Sequence, residues 1–303
     1  MFIKFFFLAI FFFYTLLFAE EKKKFDEKHL MIDELVERVD QPLHNLRQKQ
    51  FFLYVGTGMY ISDYAFNNGA IKVIGNTQRA PSLNLGLDMN FYRMPIRRSS
   101  LAGFLGYTSA FSSFDLSVPN QNFGNAFGYT HRVRFDMKYR FFPFFELYSP
   151  RIDFILGFEW FYFTSNAPSK AAAQDPFYNN LIVDYSYLSP VTGLSFEIPD
   201  IIHIKNSDFS LIGDFEYFFK STYLENPANA SGNYSSNNGI GYGGGIVGEN
   251  SKGYFVMTKF MARILEFNFS GESIYDDTPR SNVENATVKD TSYTILISLG
   301  YRT

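Results

Sequence analysis

The chain has 303 residues, with 27 lysines and arginines against 30 aspartates and glutamates, and it has no cysteine. This length allows one large β domain or two small ones. The lack of cysteine excludes disulfides, a lipidated cysteine and thiolate metal sites, and the weakly acidic balance gives no indication of nucleic-acid binding. Aromatic residues make up 19% of the chain, yet the mean hydropathy is only −0.11. Apolar side chains are therefore expected to be sorted onto faces of the fold.

The first apolar run predicts a secretory signal peptide over residues 1–19. Lys4 precedes the apolar stretch Phe5–Phe18, and Ala19 is followed by charged residues. A positive start, an apolar run and a small residue before a polar segment are typical of a cleaved export signal. The alternative is an uncleaved anchor, but the run is shorter than the ~20 residues that a membrane helix needs.

Residues 20–50 predict a short helical segment on the periplasmic side. Apolar residues recur at helical spacing at Leu30, Met31, Leu35 and Val39. Pro42 is expected to end or kink this helix. Two interpretations stay open: the segment plugs the following domain, packs on its rim or binds a partner, or it is a solvated leader.

From Phe51 onward the pattern is that of β-strands, and the hairpin His131–Thr164 shows it best. On its first arm, charged residues share one face, at Arg132, Arg134, Asp136, Lys138 and Arg140. On its second arm, Phe154, Phe158 and Trp160 share a face opposite Asp153 and Glu159. A period of two indicates a strand with one apolar and one polar face. The long, aromatic apolar face favours a wall that faces lipid around a polar lumen, and a soluble β core is the alternative.

Alternation predicts ten antiparallel strands over residues 51–303. They are Phe51–Ser62, Ser82–Met94, Leu101–Ser112, Tyr129–Phe142, Arg151–Thr164, Tyr187–Ile198, Phe209–Ser221, Tyr254–Arg263, Leu265–Tyr275 and Ser292–Arg302. Short connections, including a tight turn near Ile264, alternate with long polar ones, of which Thr222–Gly253 is the longest. Short turns at one end and long loops at the other are typical of a transmembrane β-barrel. If Ile264 is no turn, the glycine-rich stretch Gly239–Glu249 becomes the missing strand and the count stays at ten.

Each face of this barrel carries a predicted set of residues. The lumen is expected to hold a charge ladder of Arg132, Arg134, Asp136, Lys138, Arg140, Asp153, Glu159, Asp214, Glu216, Lys259, Arg263, Glu266 and Glu272. Aromatic belts at the two interfaces are expected from Phe91, Tyr139, Phe141 and Tyr301 below and from Trp160, Tyr162, Tyr217, Phe219 and Tyr275 above. The ladder either fills the barrel or forms a selective constriction, and ten strands leave at most a narrow pore.

The closing segment Ile295–Arg302 resembles the terminal strand of bacterial outer-membrane β-barrel proteins, with Tyr301 near its end. The resemblance covers Phe51–Thr303 and the export signal. It implies an outer-membrane location, with membrane lipid and the barrel-assembly machinery as partners. It names no narrower family.

The function expected from these features is non-enzymatic: a narrow pore for a small charged solute, or a structural envelope protein. An adhesin or binding module that uses the long loops to hold an extracellular ligand is one alternative. A hydrolase at the outer rim is another. His131 would be its base, but His131-Arg132-Val133 lacks the hydroxyl of the His-x-Ser pattern found in outer-membrane lipid hydrolases. No sequence motif indicates a metal or a cofactor.

Overall fold

The computed structural model describes residues 51–67, 72–77, 80–94, 99–118, 121–143, 149–166, 184–204, 207–219, 222–226, 231–236, 238–273 and 281–303. The predicted signal peptide and the predicted helical segment 20–50 lie outside these residues. Within the described ranges, no helix is long and apolar enough to cross a membrane.

The described residues form thirteen strands, numbered in chain order. They are β1 Phe51–Asn67, β2 Lys72–Thr77, β3 Ala80–Met94, β4 Ser99–Val118, β5 Gln121–Phe141, β6 Arg151–Asn166, β7 Asp184–Ile204, β8 Ser207–Phe218, β9 Thr222–Asn226, β10 Ser231–Ser236, β11 Gly239–Asn250, β12 Tyr254–Ser273 and β13 Ser281–Arg302.

Ten of these strands form a closed antiparallel barrel. Their order around the ring is β1, β3, β4, β5, β6, β7, β8, β11, β12 and β13, and β13 pairs with β1 to close it. Backbone hydrogen bonds between Phe51 and Thr303 continue this seam to its end. Three short strands extend the wall. Strand β2 pairs with β1 and β4, β9 pairs with β7, and β10 pairs with β12. The prediction of a ten-stranded all-β barrel is confirmed.

The predicted turn near Ile264 is wrong. Strand β12 runs through Ile264 and Leu265 without a break, opposite β11 and then β10 on one side. The predicted loop Thr222–Gly253 is also wrong, because this stretch contains β9, β10 and the barrel strand β11. The alternative that makes Gly239–Glu249 a strand is the correct one, and its turn lies at residues 251–253.

Several strands are longer than alternation predicted. Strands β4 and β5 have 20 and 21 residues and pair as far as Val118 and Gln121. At ~3.3 Å per residue and a tilt of ~40°, 20 residues rise about 50 Å, twice the ~25 Å of an outer-membrane apolar band. The sequence prediction assigns these upper segments, Ser113–Gly128, to a long loop, whereas the structure continues both strands through most of it.

Side-chain exposure gives the two faces of the wall opposite character. Outward residues are large and apolar, and on β6 Phe154, Leu156 and Phe158 are 51%, 65% and 54% exposed. From Ile152 to Tyr162 this face covers about 25 Å, the height of the apolar band. The inward residues of the same strand include Asp153 and Glu159, both fully buried. This sorting is that of a lipid-facing wall around a filled lumen, not of a soluble barrel.

The predicted belt residues lie on the outward face wherever they are described. Those that are exposed are Phe91, Tyr139, Phe141, Tyr301, Trp160 and Phe219. Tyr162 and Tyr217 are half-buried at outward positions. Tyr275 lies outside the described residues.

Candidate functional site in the barrel lumen

The first part of the lumen network is a chain of alternating charges near the end at which Phe51 and Thr303 lie. In order, its members are Lys138, Asp88, Arg140, Asp153, Arg151, Glu197, Arg302 and Glu249. Four cations therefore alternate with four carboxylates. The contacts include Lys138 Nζ to Asp88 Oδ2 at 2.8 Å and Arg302 NH1 to Glu197 Oε1 at 2.7 Å. We call this set the lower ionic cluster.

A second set, the upper ionic cluster, lies closer to the long-loop end. It comprises Arg132, Arg134, Asp136, Glu159, Glu216 and Arg263. Arg134 NH1 is 3.2 Å from Glu216 Oε2, and Arg263 binds the carboxylate of Glu159. Three guanidinium groups are matched by three carboxylates. Since Arg263 is on β12 and Glu159 is on β6, their contact spans the lumen from wall to wall.

The glycine-rich strand β11 makes a further ion pair in the lumen possible. Lys259 on β12 lies 2.5 Å from Asp214 on β8, although β11 runs between the two strands. The intervening lumen position of β11 is Gly243, and a Cβ placed there would lie only 2.8 Å from Asp214 Oδ2. The absence of a side chain on β11 therefore lets a cation and a carboxylate meet across it.

An aromatic layer lies beyond the upper ionic cluster, toward the long loops. Its members are Tyr60, Phe161, Phe163, Tyr187, Phe218, Leu265 and Phe267, all buried. The rings of Phe161 and Tyr187 stack at 4.7 Å between centroids. The guanidinium of Arg263 lies 4.5 Å from the Phe218 ring, and that of Arg132 lies 5.5 Å from the Phe161 ring. Cation–π contacts thus join the ionic cluster to the rings above it.

A cavity of about 150 Å³ lies beside the lower ionic cluster, lined by Tyr54, Asp88, Asp214, Lys259 and Arg302 among others. At ~30 Å³ per molecule, it has room for about five waters. Its lining is charged, so it is expected to be hydrated.

The structure places most of the predicted ladder in the lumen. The members with inward contacts are Arg132, Arg134, Asp136, Lys138, Arg140, Asp153, Glu159, Asp214, Glu216, Lys259 and Arg263. Glu266 is the exception: it alternates onto the outward face of β12, opposite Lys289 of β13. The lumen positions beside it are Leu265 and Phe267, both buried. Glu272 belongs to β12, and its side chain lies outside the description.

Five members of the lower ionic cluster were missed by the sequence prediction. They are Asp88, Arg151, Glu197, Glu249 and Arg302, which were not singled out although each stands on the lumen face of its strand. Alternation alone assigns these side chains to the lumen face. It does not predict which residue each of them contacts.

Neither described histidine takes part in the lumen network. His131 lies outward on β5 with its Nδ1 2.9 Å from the Tyr107 hydroxyl, and its ring stacks near Tyr162. His203, at the β7–β8 turn, pairs with Asp208, and Asp200 completes a group of three ligand atoms within 4.8 Å. The Nδ1 atom of His203 is hydrogen-bonded to Asp208 Oδ1 in this group.

The barrel is similar in fold to solved outer-membrane proteins. The outer-membrane protease OmpT from Escherichia coli matches with a TM-score of 0.50 and 11% identity, over 85% of this chain and 98% of that one. OprG from Pseudomonas aeruginosa (TM-score 0.41, 10% identity, 84% and 96% covered) and the transport unit of the E. coli autotransporter AIDA-I (0.38, 11%, 83% and 91%) are less similar. This chain has the fold of a bacterial outer-membrane β-barrel. No family model and no curated protein sequence matches the chain.

Proposed function

We propose that this outer-membrane barrel is non-enzymatic and closed to solutes, and that it serves as a rigid envelope scaffold that presents extended hairpins at the cell surface. The observation that carries the proposal is the burial of the lumen residues. Glu159, Phe218 and Phe267 face the lumen and are 0% exposed. A water-filled pore would leave the side chains that line it exposed to water.

The balance of charges supports a filled lumen over a selective constriction. Selectivity filters built from side chains use rings of one sign, such as carboxylates for cations or arginines for anions. Here each ionic cluster holds equal numbers of cations and carboxylates, and the pair Lys259–Asp214 is also balanced, while the buried carboxylate of Asp290 stands outside these sets. Because cations and carboxylates are interleaved in both clusters, neither cluster forms a ring of one sign that would select a solute.

The length of the strands supports a role at the outer surface. The hairpin β4–β5 rises about 25 Å more than the apolar band requires. Permeation does not need this extension, whereas presentation of a surface does. Binding of an extracellular ligand by these upper segments is therefore the second candidate function.

Enzymatic activity at His131 has little support from its position. The imidazole lies on the outward wall, bonded to Tyr107 and next to Tyr162, where lipid or its headgroups would cover it. A general base must reach the proton that it removes, together with a nucleophile or water. We also expect lipid and the barrel-assembly machinery as partners, the latter through Ile295–Arg302.

Planar-bilayer recording of the purified protein tests the closed lumen. We expect no stepwise current from the wild type. The triple variant Phe161→Ala, Phe218→Ala and Arg263→Ala removes side chains from both the aromatic layer and the upper ionic cluster, and it should conduct. Its folding is checked by the faster migration of the unheated barrel on SDS gels. Steady unitary conductance of the wild type would contradict the proposal.

Surface presentation is tested by shortening the chain connection between β6 and β7. Removing residues 167–183, between β6 and β7, and bridging the ends with a short Gly-Ser linker keeps all thirteen strands. Removing Thr222–Gly253 would delete β11 and open the barrel. Under the binding hypothesis, cells with the shortened connection lose adhesion to host-matrix ligands, while the barrel still migrates as a folded band. Unchanged adhesion would exclude residues 167–183 as the contact site and leave the upper β4–β5 hairpin as the segment to shorten next in the same assay.

A further inference from the structure

Arg302 contacts residues on four other strands of the barrel. It lies on β13, the strand that closes the ring, and is 5% exposed. Its two terminal nitrogens bind both oxygens of Glu197, at 2.7 and 3.3 Å, and NH1 also lies 3.3 Å from Glu249 Oε2. The guanidinium carbon lies 4.6 Å from the Phe52 ring centroid and 5.4 Å from that of Phe255.

These partners come from both edges of the sheet and from its opposite wall. Phe52 belongs to β1, which is the far edge of the sheet until β13 joins it, while Glu197 belongs to β7, four positions from β13 around the ring. With ~4.8 Å between neighbouring strands, Glu197 and Arg302 would be about 19 Å apart in a flat sheet. The contacts to Phe52 and Glu197 therefore exist together only when the sheet is curled and closed.

The rings beneath Arg302 reinforce this arrangement. Phe52 of β1 and Phe255 of β12 stack with centroids 4.6 Å apart and planes at 6°. Because β13 runs between β1 and β12, this stack bridges the closing strand on its lumen side. The guanidinium then covers the two rings and reaches the carboxylates beyond them.

We propose that Arg302 is the closing latch of the barrel, whose bonds to Glu197 and Glu249 over the Phe52–Phe255 stack lock β13 against β1 when the ring closes. Closure of the seam and filling of the lower lumen are then one event. Before closure, the guanidinium remains hydrated. After closure, it is buried with its charge neutralised, so reopening exposes two carboxylates and a cation at once.

The test measures ring closure separately from strand formation. Purified Arg302→Met is refolded from urea into lipid vesicles; far-UV circular dichroism follows strand formation, and the shift of the unheated band on SDS gels follows closure. Methionine has a similar length but neither charge nor donors. The matched control is Lys138→Met, which removes another lumen cation of the same cluster, whose bond to Asp88 joins β5 to β3 and does not reach β13.

Arg302→Met should form strands at the wild-type rate but close about tenfold or more slowly, since a charge-assisted buried bond contributes enough for one decade. Lys138→Met should close at the wild-type rate. Glu249→Gln, which weakens a single contact, should fall between them and serves if Arg302→Met does not fold. Closure of Arg302→Met at the wild-type rate, or an equal delay in Lys138→Met, would overturn the latch.

Discussion

Replacing Glu159 with glutamine tests whether paired charges hold the lumen together. The buried carboxylate of Glu159 binds Arg263 and also lies 3.5 Å from Arg132 Nε and 3.8 Å from Arg134 NH1. Glutamine preserves the shape and removes the charge. Three guanidinium groups then lose a carboxylate that they share, inside a wall that admits no counterion.

The expected loss of folding free energy in Glu159→Gln depends on the ion pairs that remain around the three arginines. Removing one partner of a buried ion pair costs about 3–5 kcal/mol, because the other charge is left buried. Glu216 still binds Arg134 and Arg263, so we expect the lower end, about 3 kcal/mol. That is roughly a hundredfold in the ratio of folded to unfolded protein. Adding Arg132→Met should recover part of the loss by removing an uncompensated cation.

The chain carries its own probe for this measurement. Trp160 is the only tryptophan, follows Glu159 directly and faces outward, so its fluorescence reports release from lipid during urea unfolding in vesicles. The matched control is Glu266→Gln, the same change of charge on the outward face of β12, expected within ~0.5 kcal/mol of the wild type. If Glu159→Gln is as stable as this control, the lumen charges do not hold the fold.

Two further pairs of substitutions test the glycine-rich strand β11 and the lipid face with the same unfolding assay. Gly243→Ala places a Cβ 2.8 Å from Asp214 Oδ2 and should cost about 1–3 kcal/mol, whereas Gly244→Ala meets only Ile212 O at 3.6 Å and should be near neutral; equal effects would contradict the crossing of β11. Leu156→Lys, in the middle of the apolar band, should cost about 2–4 kcal/mol, and Ile152→Lys near its edge should cost no more than ~1 kcal/mol. Equal stability of the two lysine variants would argue against a membrane wall.

Alternation was sufficient for the part of the barrel where one face meets lipid. On β5 and β6 it assigns Arg134 and Glu159 inward and Phe135 and Trp160 outward, as the structure has them. Lipid disfavours charged groups strongly, so the outward face is largely apolar within the band, and a charged residue there marks the lumen face. The rule therefore works wherever the outer environment is uniform.

The rule failed at the upper end of β12, where the lumen itself becomes apolar. Leu265 and Phe267 belong to the aromatic layer, so the inward face of β12 is apolar here. Glu266 between them faces outward, above the apolar band. In the sequence, this reversal looks like a change of phase in the alternation and therefore predicts a turn. A backbone that continues straight through a change of environment gives the same pattern as one that turns.

Charge pairs on neighbouring strands, such as Arg132 with Glu159, can be predicted from the sequence, but the pairs that cross the lumen cannot. Arg263 meets Glu159, and Arg302 meets Glu197, each across four positions of the ring. Such pairs depend on closure, curvature and the stagger of all ten strands together. Alternation and strand order therefore say which charges face inward and which are neighbours, but not which ones meet across the lumen.

An ionic lumen solves a problem that an apolar lumen would create for this chain. Strands that are apolar on both faces are prone to aggregate in water, and any chain bound for the outer membrane is exposed to water before it inserts. Alternating charges keep each strand amphipathic until the ring closes. Closure then buries those charges, which is tolerable only if each one is paired. The equal numbers of cations and carboxylates in both clusters meet that condition. Substitutions that keep the balance should therefore be tolerated better than single changes at the same positions.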